Sequence, residues 1–150
     1  MSNTVSRKDE ELIREVIEDV KPAMRDRDAE RIISRYAPDV VMYDLAPPLR
    51  RPASETLDPQ RRRDWFAGFE GPIGYEIRDL DVTAGTDLAY AHSLNLLSAT
   101  PVGSPQGFEL WFRATYCLRR DGDRWLIAHE HTSTPFYMDG SFRAALDLRP

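Results

Sequence analysis

The chain has 150 residues, 41% hydrophobic and 30% charged, with a formal net charge of −5. That length suits one domain with its own core, and no apolar run approaches the roughly 20 residues that span a bilayer, so multidomain and membrane-spanning readings fall away. The acidic balance repels phosphate backbones, and the basic runs Arg50-Arg51 and Arg61-Arg62-Arg63 lack the interleaved aromatics of a nucleic-acid surface.

The opening MSNTVSRKDEELI is charged where a signal peptide needs an apolar segment, and Cys117 is the sole cysteine, so a cytoplasmic protein without an internal disulfide is expected. From Ser6 onward Leu12, Val16, Val20 and Met24 recur every fourth residue, and Ile13 and Ile17 fill the neighbouring row, which predicts an amphipathic helix that Pro22 bends or ends. Asp28 is placed to cap a short second helix carrying Ile32, Ile33 and Tyr36 until Pro38 forces the chain extended. Asp39 to Asp44, with adjacent β-branched residues and an aromatic, reads as the first strand, and the proline-rich Ala46 to Ala53 reads as a loop. Asp58-Pro59 then starts a helix carrying Trp65, Phe66 and Phe69, which Gly71-Pro72 stops.

Everything after Pro72 is β in character. Tyr75 and Ile77 share one parity and Leu80 and Val82 the other, so a bulge near Arg78-Asp79 keeps all four on one side. Strands follow from Leu88 to Ser98 and from Phe108 to Arg119, and Asp121-Gly122 turns the chain into a last strand, RWLIAHEHTSTP, residues 124–135. In unbroken alternation, Trp125, Ile127, His129 and His131 share one face of that strand, and Glu130 and Thr132 share the other with Leu126 and Ala128. Helices first and a meandering sheet afterwards predict an α+β fold. N-terminal helices pack on a strongly curved antiparallel sheet, a cone-shaped barrel with a ligand cavity on its concave side.

The helix pair, Tyr36-Ala37-Pro38-Asp39 with the strand to Asp44, the aromatic helix and the long strands ending in His-Glu-His resemble the nuclear transport factor 2-like superfamily. The SnoaL-like and ketosteroid isomerase-like branch is most similar, and the resemblance covers residues 1–150 as a single domain. It implies a homodimer through the convex face of the sheet and a small organic ligand in the cavity, with no cofactor. Ketosteroid isomerases open their sheet with Tyr-Ala-x-Asp-x-x-x-x-Asp, whose last aspartate is the general base, and Tyr36, Ala37, Asp39 and Asp44 match that spacing. Their oxyanion-stabilising tyrosine falls at Val20 and their second acid near Thr115, so this chain departs from the pattern there. The resemblance also sends Glu130 and Thr132 inward and leaves His129 and His131 on the convex face, an assignment that a bulge in the strand would reverse.

The same register turns His92 and Tyr90 inward, and Arg113 with its parity partners Trp111 and Thr115. The expected site is then Asp44 as base, His92 or Glu130 as proton donor, and Arg113 orienting a polar or anionic end of the ligand, against Trp65, Phe66, Tyr90, Trp111, Thr115 and Thr132. Proton abstraction next to a carbonyl, giving isomerisation or cyclisation, is the chemistry expected of that set. The alternative is a non-catalytic ligand-binding or homo-oligomeric assembly domain. A metal is not expected, because the glutamate and later histidine that accompany His-x-His in metal-binding cupin strands do not follow His131.

Overall fold

The computed structural model describes residues 2–150, with side chains from Arg7 onward. Helices α1 (Ser2–Glu18), α2 (Val20–Arg25) and α3 (Ala29–Ile33) precede strand β1 (Tyr36–Tyr43). Helices α4 (Ala53–Thr56) and α5 (Pro59–Ala67) follow, and then strands β2 (Phe69–Ala84), β3 (Leu88–Pro101), β4 (Phe108–Asp121) and β5 (Arg124–Ser133). No described helix is long and apolar enough to cross a membrane.

The apolar stripe of the first two helices forms as its spacing requires. Ile13 and Ile17 are fully buried at its centre, Val20 and Met24 extend it, and Leu12 and Val16 flank it, half-buried. Asp28 caps α3 by accepting from the Arg31 backbone N–H at 3.1 Å. Tyr36, expected in that helix, is instead the first residue of β1. Pro38 supplies the reason, since it holds Ala37 extended and allows no helical continuation. Between the expected loop, Ala46 to Ala53, and α5 the chain makes the one-turn helix α4. Phe69 opens β2 rather than closing α5, which ends at Ala67. Gly71-Pro72 sits inside β2 where its pairing with β3 is irregular.

The five strands lie in the order β1-β5-β4-β3-β2. Strands β2 to β5 pair antiparallel through successive hairpins, but β1 runs parallel to β5, so the sheet is mixed rather than wholly antiparallel. Two bulges re-aim its side chains. The pairing of β2 with β3 shifts between Arg78 and Asp81, where Asp79 takes a positive φ of 57°. In β5 the partners jump from Leu118–Ile127 to Cys117–His129, leaving Ala128 as the extra residue. Parity therefore changes within the strand. Trp125 and Ile127 face the core before the bulge, and Glu130 and Thr132 continue on that same inner side after it.

The inner face of the neighbouring strands carries Ala91, Ser93 and Asn95 from β3 and Phe112, Ala114, Tyr116 and Leu118 from β4, all buried. The face expected from the family register is thus corrected for both strands. Tyr90 and His92 on β3, and Trp111, Arg113 and Thr115 on β4, point away from the helices. His131, Thr115 and His92 form a cross-strand row on that outer side, and the Tyr43 ring packs edge-on against His129 and His131. The inner parity holds the apolar side chains and the hydrogen-bonded Ser93–Asn95–Tyr116 group, and the charged and imidazole side chains of the opposite parity go outward to water.

Candidate active site

A cavity of about 490 Å³ opens between the helices and the concave side of the sheet, within the range that holds a drug-sized ligand. Val20, Met24, Ile32, Leu97 and Phe112 give it an apolar wall, and Trp65 of α5 adds an aromatic plane. Phe66, expected beside Trp65 as a ligand contact, is buried in the core and makes an edge-on contact with Trp65 at 5.5 Å.

Glu130 reaches this cavity because the Ala128 bulge turns it inward. Its carboxylate accepts a hydrogen bond from the Tyr36 hydroxyl, shared between both oxygens at 3.3 Å. Burial is the largest influence on Glu130 and raises its pKa above the ordinary carboxylate range. The charge of Asp44 adds to that shift, and Arg35, Arg62 and the Tyr36 hydroxyl oppose it without reversing it. The buried Arg35 cannot neutralise Glu130 by contact. It donates instead to the backbone carbonyls of Val16 at 2.8 Å and Ile17 at 3.3 Å, at the end of α1.

Three phenols surround the carboxylate. Burial, reinforced by the charge of Glu130, pushes Tyr36 up and Tyr116 up to about 12, so both remain neutral donors. Tyr75 is raised in the same direction by burial, and next by Tyr116. The fully buried Asn95 organises two of them: its Nδ2 donates to the Tyr75 oxygen at 2.9 Å and to the Tyr116 oxygen at 3.0 Å, and its Oδ1 accepts from Ser93 at 2.7 Å. Both N–H groups of the amide are used on the phenol oxygens. The two phenolic O–H groups are left to donate elsewhere, and both tyrosines line the cavity.

Asp44 lies at the rim. Its Oδ1 accepts from the Leu45 backbone N–H at 2.8 Å, its Oδ2 is 3.9 Å from Arg51, and its side chain is 38% exposed. The structure therefore gathers Asp44, Glu130, Trp65 and Thr132 from the expected site around one cavity and leaves out His92, Tyr90, Trp111, Arg113 and Thr115. Arg113, expected to anchor an anion inside, donates to Ser133 at 3.1 Å on the outer face. Among the described residues no three His, Cys, Asp or Glu side chains converge as a metal site.

Tyr36, Tyr75, Asn95, Tyr116 and Arg62 are cavity or cavity-supporting residues that the sequence reading did not select. The signal for Tyr116 is present, since Phe112, Ala114, Tyr116 and Leu118 alternate with Arg113, Thr115, Cys117 and Arg119, an apolar-in, polar-out pattern that fixes the face of β4. Arg62 carries no such signal, because it sits within a run of three arginines on a short helix.

The SnoaL-like domain family matches residues 13–137. No curated protein matches the sequence. Among solved structures, the chain is similar to a nuclear transport factor 2-like protein of unknown function from Pseudomonas putida, at 35% identity and a TM-score of 0.82, covering 97% of this chain and 99% of that one. A putative dehydratase of the same family from Streptomyces avermitilis shares 19% identity at a TM-score of 0.73, over 85% of this chain and 97% of that one. A ketosteroid isomerase-like protein from Erwinia carotovora also shares 19% identity, at a TM-score of 0.68 over 83% and 95%. With matched residues running from the first helix to beyond the last strand, the chain belongs to the SnoaL-like branch of the nuclear transport factor 2-like superfamily.

Proposed function

We propose that this protein binds a small, largely apolar carbonyl compound in the cavity and moves a proton on it, as an isomerase or dehydratase does. The observation that carries the reading is Glu130, a buried carboxylate at the cavity wall with one long hydrogen bond and a pKa raised mainly by burial. A carboxylate whose proton affinity burial raises is a stronger base than one in water, and it lies in the same cavity as two phenols whose oxygens accept from Asn95. The names of two structural neighbours, a putative dehydratase and a ketosteroid isomerase-like protein, agree with this chemistry.

In the proposed step, Glu130 removes a proton from the carbon next to the carbonyl, and the electron pair of that C–H bond moves onto the carbonyl oxygen. Tyr75 and Tyr116 donate hydrogen bonds to the enolate oxygen as its charge develops, which is where preformed donors lower a barrier. In a β,γ-unsaturated substrate the protonated Glu130 then returns its proton to the γ-carbon as the double bond moves into conjugation, an isomerisation; in a β-hydroxy substrate it protonates the hydroxyl, which leaves as water as the enolate collapses to the α,β double bond, a dehydration. Asn95 is a positioning residue, because it aims the phenols and touches no reacting atom.

Deuterium uptake at the α-carbons of a panel of cyclic ketones, followed by NMR in D2O, tests the proposal. Wild-type protein should accelerate exchange for at least one ketone, and Glu130→Gln should slow it by about 10²–10⁴-fold. If Glu130→Gln exchanges as fast as wild type, or wild type exchanges none, the catalytic reading fails and binding without turnover takes its place.

A further inference from the structure

We infer that the cavity selects a small organic acid, with the Arg62 guanidinium holding the carboxylate of the ligand. This rests on the cavity being a ligand site, as proposed above, and adds the chemical class of the ligand.

Four arginines line the cavity, and three are committed to the protein. Arg35 donates to the carbonyls of Val16 and Ile17. Arg51 donates to Glu55 at 3.2 Å and to the Pro47 carbonyl at 3.2 Å, and Arg61 lies 3.5 Å from Glu55. Arg62 is half-buried, yet it makes no ion pair or hydrogen bond with any described residue. The guanidinium therefore keeps its donors free on the cavity side, and its planar fork fits a carboxylate with two parallel bonds.

The uncommitted cation sits in the same chamber as the apolar wall, a pairing that suits a ligand with an acid end and a hydrocarbon body. The apolar wall and Trp65 would receive the rest of such a molecule.

Binding of 2-naphthoate and of its neutral amide, 2-naphthamide, measured by calorimetry on the full chain, tests the inference, because the pair differs in charge and hardly in shape. Wild type should bind the acid about tenfold or more tightly than the amide. Arg62→Gln should erase that preference while leaving amide affinity within about twofold, and Arg62→Lys should restore part of it. Equal affinity for the two probes, an equal loss of both in Arg62→Gln, or no binding of the acid overturns the inference. A wild-type protein that prefers the acid but exchanges no ketone proton keeps the ligand class and loses the catalysis, whereas one that exchanges protons and ignores charge does the reverse.

Discussion

The Glu130 carboxylate has one hydrogen-bond donor, the Tyr36 hydroxyl at 3.3 Å, and two cations, Arg35 and Arg62, that act on it without hydrogen-bonding it. Burial outweighs all three and raises its pKa, so the folded protein holds a proton there more tightly than the unfolded chain does. The sign for stability follows by linkage. Below the ordinary glutamate range both states are protonated and nothing is lost; as pH rises, the unfolded chain ionises first, and stability falls until the folded carboxyl ionises too. Glu130→Gln, which keeps an acceptor for Tyr36, should therefore raise the melting temperature at pH 7–8 and converge with wild type near pH 4 in paired thermal scans. A variant less stable than wild type at pH 8 would show that the carboxylate is stabilised in the fold. The same residue also shows what the sequence reading could deliver. Glu130 and Thr132 were legible as inward from the family register, but the depth of Glu130 relative to Asp44 was not, because depth below the rim depends on how the chain after Asp44 turns back on its carboxylate.

Among the elements, the strands were more legible than their faces. The bulge near Arg78-Asp79 was readable from the parity change between Ile77 and Leu80, and the structure puts it there with Asp79 at φ 57°. Aspartate tolerates this left-handed conformation better than most residues, whereas a β-branched side chain is strained in it. Asp79→Val should cost about 1–2 kcal/mol in denaturant unfolding, and Asp79→Gly should stay within about 0.5 kcal/mol of wild type. Equal losses in both would place the cost in the aspartate side chain rather than in the backbone. The faces of β3 and β4 escaped the reading for a different reason. His92, Arg113 and Trp111 look like chemistry, whereas the inner positions Ala91, Ser93 and Ala114 look like filler. Under closely packed helices the filler is what fits, and the polar work falls to Asn95 and Tyr116. The parallel seating of β1 beside β5 was also illegible, since it joins segments some 90 residues apart with no local turn to announce it.

Across the whole molecule, Asp9 ties the first helix to the β4–β5 hairpin. This buried residue of α1 accepts from Arg120 at 2.7 Å and from the Trp125 indole at 3.2 Å, while the Arg120 guanidinium lies over the Trp125 ring at 4.7 Å. Burial alone would raise the Asp9 carboxyl, but the hydrogen bonds from Arg120 and Trp125, with the charges of Arg120 and Lys8, hold it below the usual range. A depressed carboxyl contributes stability above its unfolded pKa and loses it as pH falls through the folded one. Asp9→Asn should therefore cost about 2 kcal/mol at pH 7, roughly 4–8 °C, and the gap to wild type should narrow in acid below about pH 4. A constant gap from pH 7 to pH 3 would assign the loss to packing instead. Ala128 reaches equally far from its own position, because everything after it on β5 owes its side of the sheet to that one surplus residue. Pairing Ala128 into the ladder, with no residue lost, would exchange the two sets of groups, carrying His129 and His131 into the chamber and Glu130 out of it, whereas deleting Ala128 would leave both sets where they are. A lineage built on this sheet can thus swap an acidic interior for an imidazole one by slippage, with every reactive side chain still encoded.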